Sequence, residues 1–148
     1  MDFCISVMTL EDFEEIKNNL NQDFDDFWSA TSLKNEIENI SNLNSHYFVV
    51  RENDEIVGFA GILIIIDETH IMNIVVKKNK RNLGIGSLLL KYIIDYSEKN
   101  KISSITLEVN ENNIPAIKLY EKYNFQKVGL RKKYYNNTDD ALIMTLKL

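Results

Sequence analysis

The feature that most constrains the fold is an apolar segment, a basic turn containing glycine, and then a long amphipathic pattern. The segment Asn73–Val76 has the character of a strand end, and the turn extends to Gly86. The helical pattern continues through Lys99, with one apolar face made of Ile85, Leu89, Leu90, Ile93 and Ile94. Such a face has to be buried against another element. The sequence therefore predicts a strand, a tight turn and a helix packed on a sheet.

The rest of the chain alternates between strand-like and helix-like patterns. Strands are predicted over these segments: Phe3–Met8, Tyr47–Arg51, Glu55–Ile66, His70–Val76, Ile102–Val109, Phe125–Tyr135 and Ala141–Lys147. Helices are predicted after a capping-box-like signal at Thr9–Asp12, after Ser32 and after Asn113, with an acidic, aromatic lid-like loop over Asn21–Ser32. This order predicts one α/β domain over residues 1–148, with a mixed, mostly antiparallel sheet of about seven strands and four helices.

Length and charge restrict the class of protein. A chain of 148 residues fits one domain with a real core. The apolar run Ile56–Ile66 is about half of the ~20 residues that a membrane span requires, so it is predicted to be a buried strand. The start Met1–Cys4 lacks a secretory signal, which makes the cytoplasm the expected location. A formal net charge of -5 argues against a nucleic-acid-binding protein, which would need a basic face.

The few cysteine and histidine residues indicate neither a disulfide nor a metal site. Cys4 is the only cysteine, and its strand-like surroundings predict a small core residue rather than a reactive thiol. His46 and His70 lie far apart in the sequence and form no cluster with metal-ligand spacing. We therefore expect chemistry without a metal.

The turn before the long helix has the character of a phosphate-binding loop. Arg81-Asn82-Leu83-Gly84-Ile85-Gly86 lies where the amide groups of a helix N-terminus are unpaired and favour an anion. A Walker loop is excluded because Ser87-Leu88 follows Gly86, and a dinucleotide fingerprint is excluded because Leu89 is not small. Basic residues within Lys77–Arg81 suit a ligand with several phosphates, such as coenzyme A. The alternative is a solvated basic turn.

With Arg81-x-x-Gly84-x-Gly86 after an apolar strand, the chain resembles the GNAT superfamily of N-acetyltransferases. The segments Asn73–Val76 and Leu107–Val109 extend the match. So do Asn113, Ala116–Glu121, Asn124-Phe125 and Arg131–Tyr135, which resemble the RimI branch, the ribosomal-protein-alanine N-acetyltransferases. The resemblance extends from about Tyr47 to the end of the chain and is weaker over the first two helices.

The resemblance implies a role for each matching residue. Ile74, Val75 and Val76 would offer backbone groups to the pantetheine arm and the thioester of acetyl-CoA, and an amide near Val75 would stabilise the oxyanion. Arg81 and the pyrophosphate-binding residues Asn82, Leu83, Gly84, Ile85, Gly86 and Ser87 would form the coenzyme loop. Asn113 would also touch the coenzyme. Glu108 would be the general base and Tyr120 the general acid.

The chemistry of acetyl transfer explains why these residue types are needed. A protonated amine cannot attack a thioester, so a carboxylate such as that of Glu108 must accept its proton, directly or through water. Tyr120 can hydrogen-bond to the departing thiolate or protonate it; a free thiol has a pKa near 8.5 and a tyrosine hydroxyl one near 10. The alternatives are a glutamate on the polar face of a strand and a core tyrosine on an amphipathic helix. Since Cys4 has no histidine partner, we predict direct transfer in a ternary complex.

The amine acceptor is less well defined by the sequence. Trp28, Tyr134 and Tyr135, with Phe27, are candidates to shape a peptide groove, and Asp23, Asp25 and Asp26 could attract a basic peptide. The resemblance implies that the acceptor is the N-terminal alanine of a small-subunit ribosomal protein. A small-molecule amine acetyltransferase and a non-catalytic acyl-CoA-binding module are the alternatives. Neither a nucleic acid nor a membrane is expected as a partner.

Overall fold

Seven strands form one mixed sheet within the residues that the structure, a computed structural model, describes: 2–18, 20–24, 44–135 and 139–148. The strands are β1 Phe3–Val7, β2 Ser45–Glu52, β3 Glu55–Ile65, β4 Glu68–Val76, β5 Ser104–Asn110, β6 Gln126–Tyr135 and β7 Asp139–Lys147. Their order is β1-β2-β3-β4-β5-β7-β6. The pair β4/β5 is parallel, whereas β1/β2, β2/β3, β5/β7 and β6/β7 are antiparallel. The predicted mixed, mostly antiparallel sheet is confirmed.

Three α-helices lie within the described residues: α1 Leu10–Lys17, α2 Ile85–Lys99 and α3 Ile114–Lys122. Helix α1 begins at the predicted capping box, in which the Thr9 amide donates to Asp12 Oδ2 at 2.9 Å and the Asp12 amide donates to Thr9 Oγ1 at 3.1 Å. A 3₁₀ turn covers Lys78–Lys80. The helix predicted after Ser32 lies outside the described residues.

The segment that follows α1 corrects one prediction. Asn21–Ser32 was predicted to be a lid-like loop, but Leu20–Phe24 is a π-helical turn. Leu20 and Phe24 are 2% and 4% exposed, and the Phe24 ring lies 5.6 Å from that of Phe59. Burying these two large apolar side chains favours a helical turn over an open loop. Residues 25–32 lie outside the described part of the chain.

The chain divides into two compact units. Unit 1 comprises the described residues of Met1–Leu63 and Asn73–Ile93. Unit 2 comprises the described residues of Ile64–Met72 and Ile94–Leu148. The core of unit 1 contains these buried residues: Met8, Phe13, Ile16, Leu20, Phe24, Tyr47, Val49, Ile56, Phe59 and Val75. Arg51 of β2 ties α1 to this unit by bonding Asp12 and, at 3.3 Å, Glu15.

Unit 2 has its own buried residues and one buried polar pair. On β5, Ile105, Leu107 and Val109 are 0%, 3% and 5% exposed, while Glu108 faces the other side as the alternation predicts. The hydroxyls of Thr69 and Ser97, both 0% exposed, lie 2.9 Å apart and satisfy each other. Alternation along β5 thus sets which side chains this unit buries.

Two exposed residues differ from expectation. Cys4 was predicted to be a small core residue, but it is exposed, because β1 is an edge strand and Cys4 lies on its open face. The turn between β3 and β4 begins one residue earlier than predicted, at Ile66, whose φ is +57° although its side chain is β-branched and 94% exposed. None of the described helices has both the length and the apolar character needed to cross a bilayer.

Candidate active site

The loop between β4 and α2, in unit 1, has the geometry of an anion-binding helix start. Asn82 and Gly84 have φ values of +64° and +84°, which turn the chain into the helix. The Leu88 amide donates to the Gly84 carbonyl at 3.0 Å, so the amides of Ile85 and Gly86 precede the helical hydrogen-bond ladder. Such amides, at the positive end of the helix dipole, favour an anion.

Gly84 leaves open space where a phosphate would approach. A Cβ placed on Gly84 would meet no heavy atom within 4 Å, its chain neighbours excepted. Ile85, 1% exposed, anchors the start of α2 in the core. The backbone is therefore fixed on one side and accessible on the other, and these residues fit the pyrophosphate of coenzyme A.

The basic side chains of this loop bind protein groups. Lys77 donates to Glu55, and this hydrogen bond holds the pKa of the Glu55 carboxyl below its ordinary value. Lys80 donates to Glu52 at 2.9 Å, which raises the pKa of the Lys80 ammonium. Both lysines are thus balanced by carboxylates.

Arg81 holds the loop to its own unit through two backbone carbonyls. Its Nη2 donates to Phe24 O at 2.9 Å and its Nε to Val76 O at 3.3 Å. The guanidinium therefore joins the end of the π-helical turn to the end of β4. With Lys77, Lys80 and Arg81 engaged in this way, the amides of Ile85 and Gly86 are donors of this loop that precede the helical hydrogen-bond ladder.

The end of β4 places the residues predicted to meet the pantetheine arm. Val75 is 4% exposed in the core of unit 1, whereas Ile74 and Val76 point the other way and are half-buried. Asn73 is 9% exposed, and neither its Oδ1 nor its Nδ2 has a hydrogen-bond partner in the described part of the chain. A buried amide without partners is costly and calls for a ligand or an ordered water.

Unit 2 carries the two residues predicted to catalyse. Glu108 lies on β5 with its side chain 29% exposed, and its Oε1 lies 3.0 Å from Nη2 of Arg131 on β6. Tyr120 on α3 is 9% exposed, with its ring 5.8 Å from that of Phe125. Its backbone carbonyl also accepts from the Phe125 amide at 3.1 Å. The Tyr120 ring is therefore fixed by packing.

The remaining predicted contacts divide between described and undescribed residues. Asn113 caps α3, its Oδ1 accepting from the Ala116 amide at 3.3 Å. Tyr134 and Tyr135 belong to β6 by their backbone, and Trp28 lies outside the described residues. Asp23 lies in the π-helical turn, whereas Phe27, Asp25 and Asp26 are not described. In the described part of the chain no group of three metal-ligating side chains is found.

Comparison with known proteins identifies the family. The model of the acetyltransferase (GNAT) family matches residues 13–125. The chain belongs to the acetyltransferase (GNAT) family. This confirms the predicted family and enzyme class, an N-acetyltransferase.

One relative and one solved structure give the GNAT assignment more detail. The [ribosomal protein bS18]-alanine N-acetyltransferase of Escherichia coli (strain K12) is 35% identical over 113 residues, 73% of this chain and 76% of that protein. The crystal structure of the ribosomal-protein-S18-alanine N-acetyltransferase from E. coli superimposes with a TM-score of 0.88 at 27% identity, covering 99% of this chain and 94% of that one. The predicted GNAT-like fold is confirmed.

A second solved structure contains the cosubstrate. An acetyltransferase from Bacillus anthracis str. Ames, in complex with acetyl coenzyme A, has a TM-score of 0.65 and 25% identity, covering 71% of this chain and 63% of that one. The same fold therefore binds acetyl-CoA in that protein.

Two residues of the site, Asn73 and Arg131, lie within longer sequence motifs that carry no local sign of their contacts. Asn73 belonged to a strand-like segment, and its burial without a partner depends on tertiary packing that has no local signal. Arg131 belonged to a basic segment, and its pairing with Glu108 depends on the register of three strands.

Proposed function

We propose that this chain transfers the acetyl group of acetyl-CoA to the N-terminal α-amino group of a protein, the alanine that begins ribosomal protein bS18. The observation that carries this is the likeness to the E. coli enzyme of that name, both in sequence, at 35% identity, and in fold, at a TM-score of 0.88. The match over 99% of the chain also supports one acetyltransferase domain over residues 1–148.

The coenzyme loop is proposed to bind acetyl-CoA through its backbone. The amides of Ile85 and Gly86 would hold the pyrophosphate, and Gly84 would let it approach. Neighbouring loop positions Asn82, Leu83 and Ser87 are included in this proposal. Ile74, Val75 and Val76 would bond the pantetheine arm, with Asn113 as a further contact. Arg81 would hold the loop in place.

Glu108 and Tyr120 are proposed to move the protons. Acetyl-CoA, when bound, supplies the activated acetyl group as a thioester. Glu108 accepts the proton from the acceptor amine, which leaves the nitrogen lone pair free to attack. The Tyr120 hydroxyl donates a proton to the departing sulfur, held in place by the packing of its ring on Phe125.

The proposed acceptor also determines the expected partners and location. Ribosomal proteins are made and assembled in the cytoplasm, so the proposal places the enzyme there. An acidic chain, with net charge -5, attracts the basic N-terminus of an RNA-binding protein more readily than a nucleic acid. Trp28, Tyr134 and Tyr135 are proposed to line the peptide groove.

The test uses a peptide that copies the start of bS18, beginning with alanine. Purified enzyme, acetyl-CoA and peptide are incubated, and the release of free coenzyme A thiol is followed over time. The mass of the peptide is then measured by mass spectrometry. We expect a peptide acetylated once at its α-amine. Glu108→Gln should lower kcat by about 10²–10⁴-fold. Glu111→Gln, which alters an exposed carboxylate just after β5, is the matched control and should keep full activity.

Two results would contradict the proposal in different ways. Turnover of a polyamine or amino acid, but not of the peptide, would retain the reaction and reject the acceptor. Binding of acetyl-CoA without transfer to any amine would favour a non-catalytic binding module.

Tyr120→Phe keeps the ring and removes the hydroxyl, so an unchanged kcat in that variant would reject Tyr120 as the acid.

A further inference from the structure

The carboxylate of Glu108 has a charged partner that comes from two strands away in the sheet. Nη2 of Arg131 lies 3.0 Å from Oε1 of Glu108, with the two side chains 54% and 29% exposed. Salt bridges with this exposure contribute little to stability. Stabilisation of the fold alone therefore does not account well for the contact between Arg131 and Glu108.

The register of the sheet shows how Arg131 reaches across β7. Glu108 and Gly129 both pair with Ile143, so these three residues form one row on the same face. Arg131 pairs with Ala141 in the next row of that face. Gly129 and Ala141 have the smallest side chains available, and a Cβ on Gly129 would come within 3.3 Å of Ile143. Gly129 thus avoids crowding Ile143, and the small side chain of Ala141, the β7 partner of Arg131, leaves the guanidinium room to reach over β7 to the carboxylate.

We propose that Arg131 is a positioning residue that holds Oε1 of Glu108, so that Oε2 is the oxygen presented to the acceptor amine. This inference rests on the proposed function of Glu108 as the general base. A catalytic base held by a third group is a recurring arrangement, because a free carboxylate samples several rotamers and only some accept the proton. The guanidinium suits this task, since its planar fork of donors can hold a carboxylate oxygen in one orientation.

The experiment measures kcat and KM for the alanine peptide and for acetyl-CoA in Arg131→Gln, with Lys132→Gln as the matched control. Lys132 is the next residue of β6, is exposed and points to the opposite face. We expect kcat of Arg131→Gln to fall about tenfold to 10²-fold, as for a misplaced catalytic group. Both KM values and the thermal midpoint should stay near those of the wild type. Arg131→Lys, which restores a cation without the planar fork, should recover part of kcat.

A double variant separates positioning from a direct role. If Arg131 acts through Glu108, then Arg131→Gln should cause no further loss of kcat in an enzyme that already carries Glu108→Gln. An equal loss in both backgrounds would overturn the inference. So would an unchanged or raised kcat in Arg131→Gln, or an equal fall in Lys132→Gln.

The inference and the proposed function fail in different ways. If the wild type acetylates a small amine but not the peptide, the proposed acceptor is rejected, and the same variants measured with that amine still decide the role of Arg131. If the wild type transfers acetyl to neither acceptor, the proposed function is rejected, and the role of Arg131, which rests on it, is rejected with it.

Discussion

Replacing Gly84 by alanine tests whether the cosubstrate approaches the backbone of the coenzyme loop, because the change should affect cosubstrate binding more than the stability of the fold. Gly84 has a φ of +84°, which alanine adopts only with strain. Its Cβ would meet no heavy atom within 4 Å, apart from chain neighbours, so no clash with the protein adds to that strain. The proposed occupant of this open space is the pyrophosphate of acetyl-CoA. The added methyl group should therefore disturb the cosubstrate much more than the fold.

The expected magnitudes follow from these two observations. A left-handed conformation destabilises an L-residue by roughly 1–2 kcal/mol. Replacing glycine also lowers the conformational entropy of the unfolded chain, which stabilises the fold by about 0.4–1 kcal/mol. The net loss of about 1 kcal/mol corresponds to a fall of about 2–4 °C in Tm for a chain of this size. A methyl group between the phosphates and the amides should raise the KM for acetyl-CoA at least ~10-fold, which is ~1.4 kcal/mol of binding.

The assay is initial-rate kinetics with varied acetyl-CoA, together with thermal unfolding. Asn124→Ala is the control, because Asn124 has a φ of +71°, is exposed and lies in the turn after α3. It should lower Tm by a similar amount and leave the KM for acetyl-CoA unchanged. If Gly84→Ala lowers Tm but leaves that KM unchanged, the cosubstrate does not approach Gly84 and the proposed loop contact is wrong.

Three further predictions concern stability. Ile66→Asn should raise Tm, because Ile66 has a φ of +57° with its side chain 94% exposed and asparagine tolerates that conformation; a lower Tm would contradict the strain. Ser97→Ala should cost about 1–3 kcal/mol in urea unfolding by leaving the buried Thr69 hydroxyl without its partner, and adding Thr69→Val should recover part of it. A single variant as stable as the wild type would show that the pair is not needed. The hydrogen bond from Lys77 lowers the pKa of Glu55 in the folded protein. This pair therefore stabilises the fold at pH values above the ordinary carboxyl pKa. The stabilisation is lost as the pH falls through the pKa that Glu55 has in the folded state. Glu55→Gln should remove this part of the pH dependence of the free energy of unfolding, which amounts to less than about 1 kcal/mol for so exposed a pair. An unchanged slope of the unfolding free energy against pH would contradict this prediction.

Local sequence signals predicted most of the regular structure. The capping box at Thr9 and the cap at Asn113 were recognisable because both operate within three residues of the chain. Alternation likewise predicted that Glu108 faces away from the buried side of β5. These features depend on short-range geometry, which a sequence pattern records directly.

What the sequence did not predict depends on contacts between distant residues. The exposure of Cys4 depends on β1 being an edge strand, and its strand-like surroundings could not convey that. The pairing of Lys77 with Glu55 depends on the two residues meeting at the ends of different strands. The burial of Phe24 depends on a ring contact with Phe59. The basic run therefore suggested phosphate contacts that the structure partly replaces by internal pairs.

The pairing of Lys77 and Lys80 with glutamates has a consequence in concentrated salt. A polyanion drawn to unpaired lysines would lose that attraction as dissolved ions screen it, over a Debye length of roughly 8 Å at physiological ionic strength. Because these two ammonium groups are already balanced by carboxylates, they leave little long-range attraction to be screened. Amide dipoles act at hydrogen-bond distance, where mobile ions cannot intervene. If these amides hold the cosubstrate, as proposed, its binding should weaken less with rising ionic strength than binding in a lysine-lined groove would.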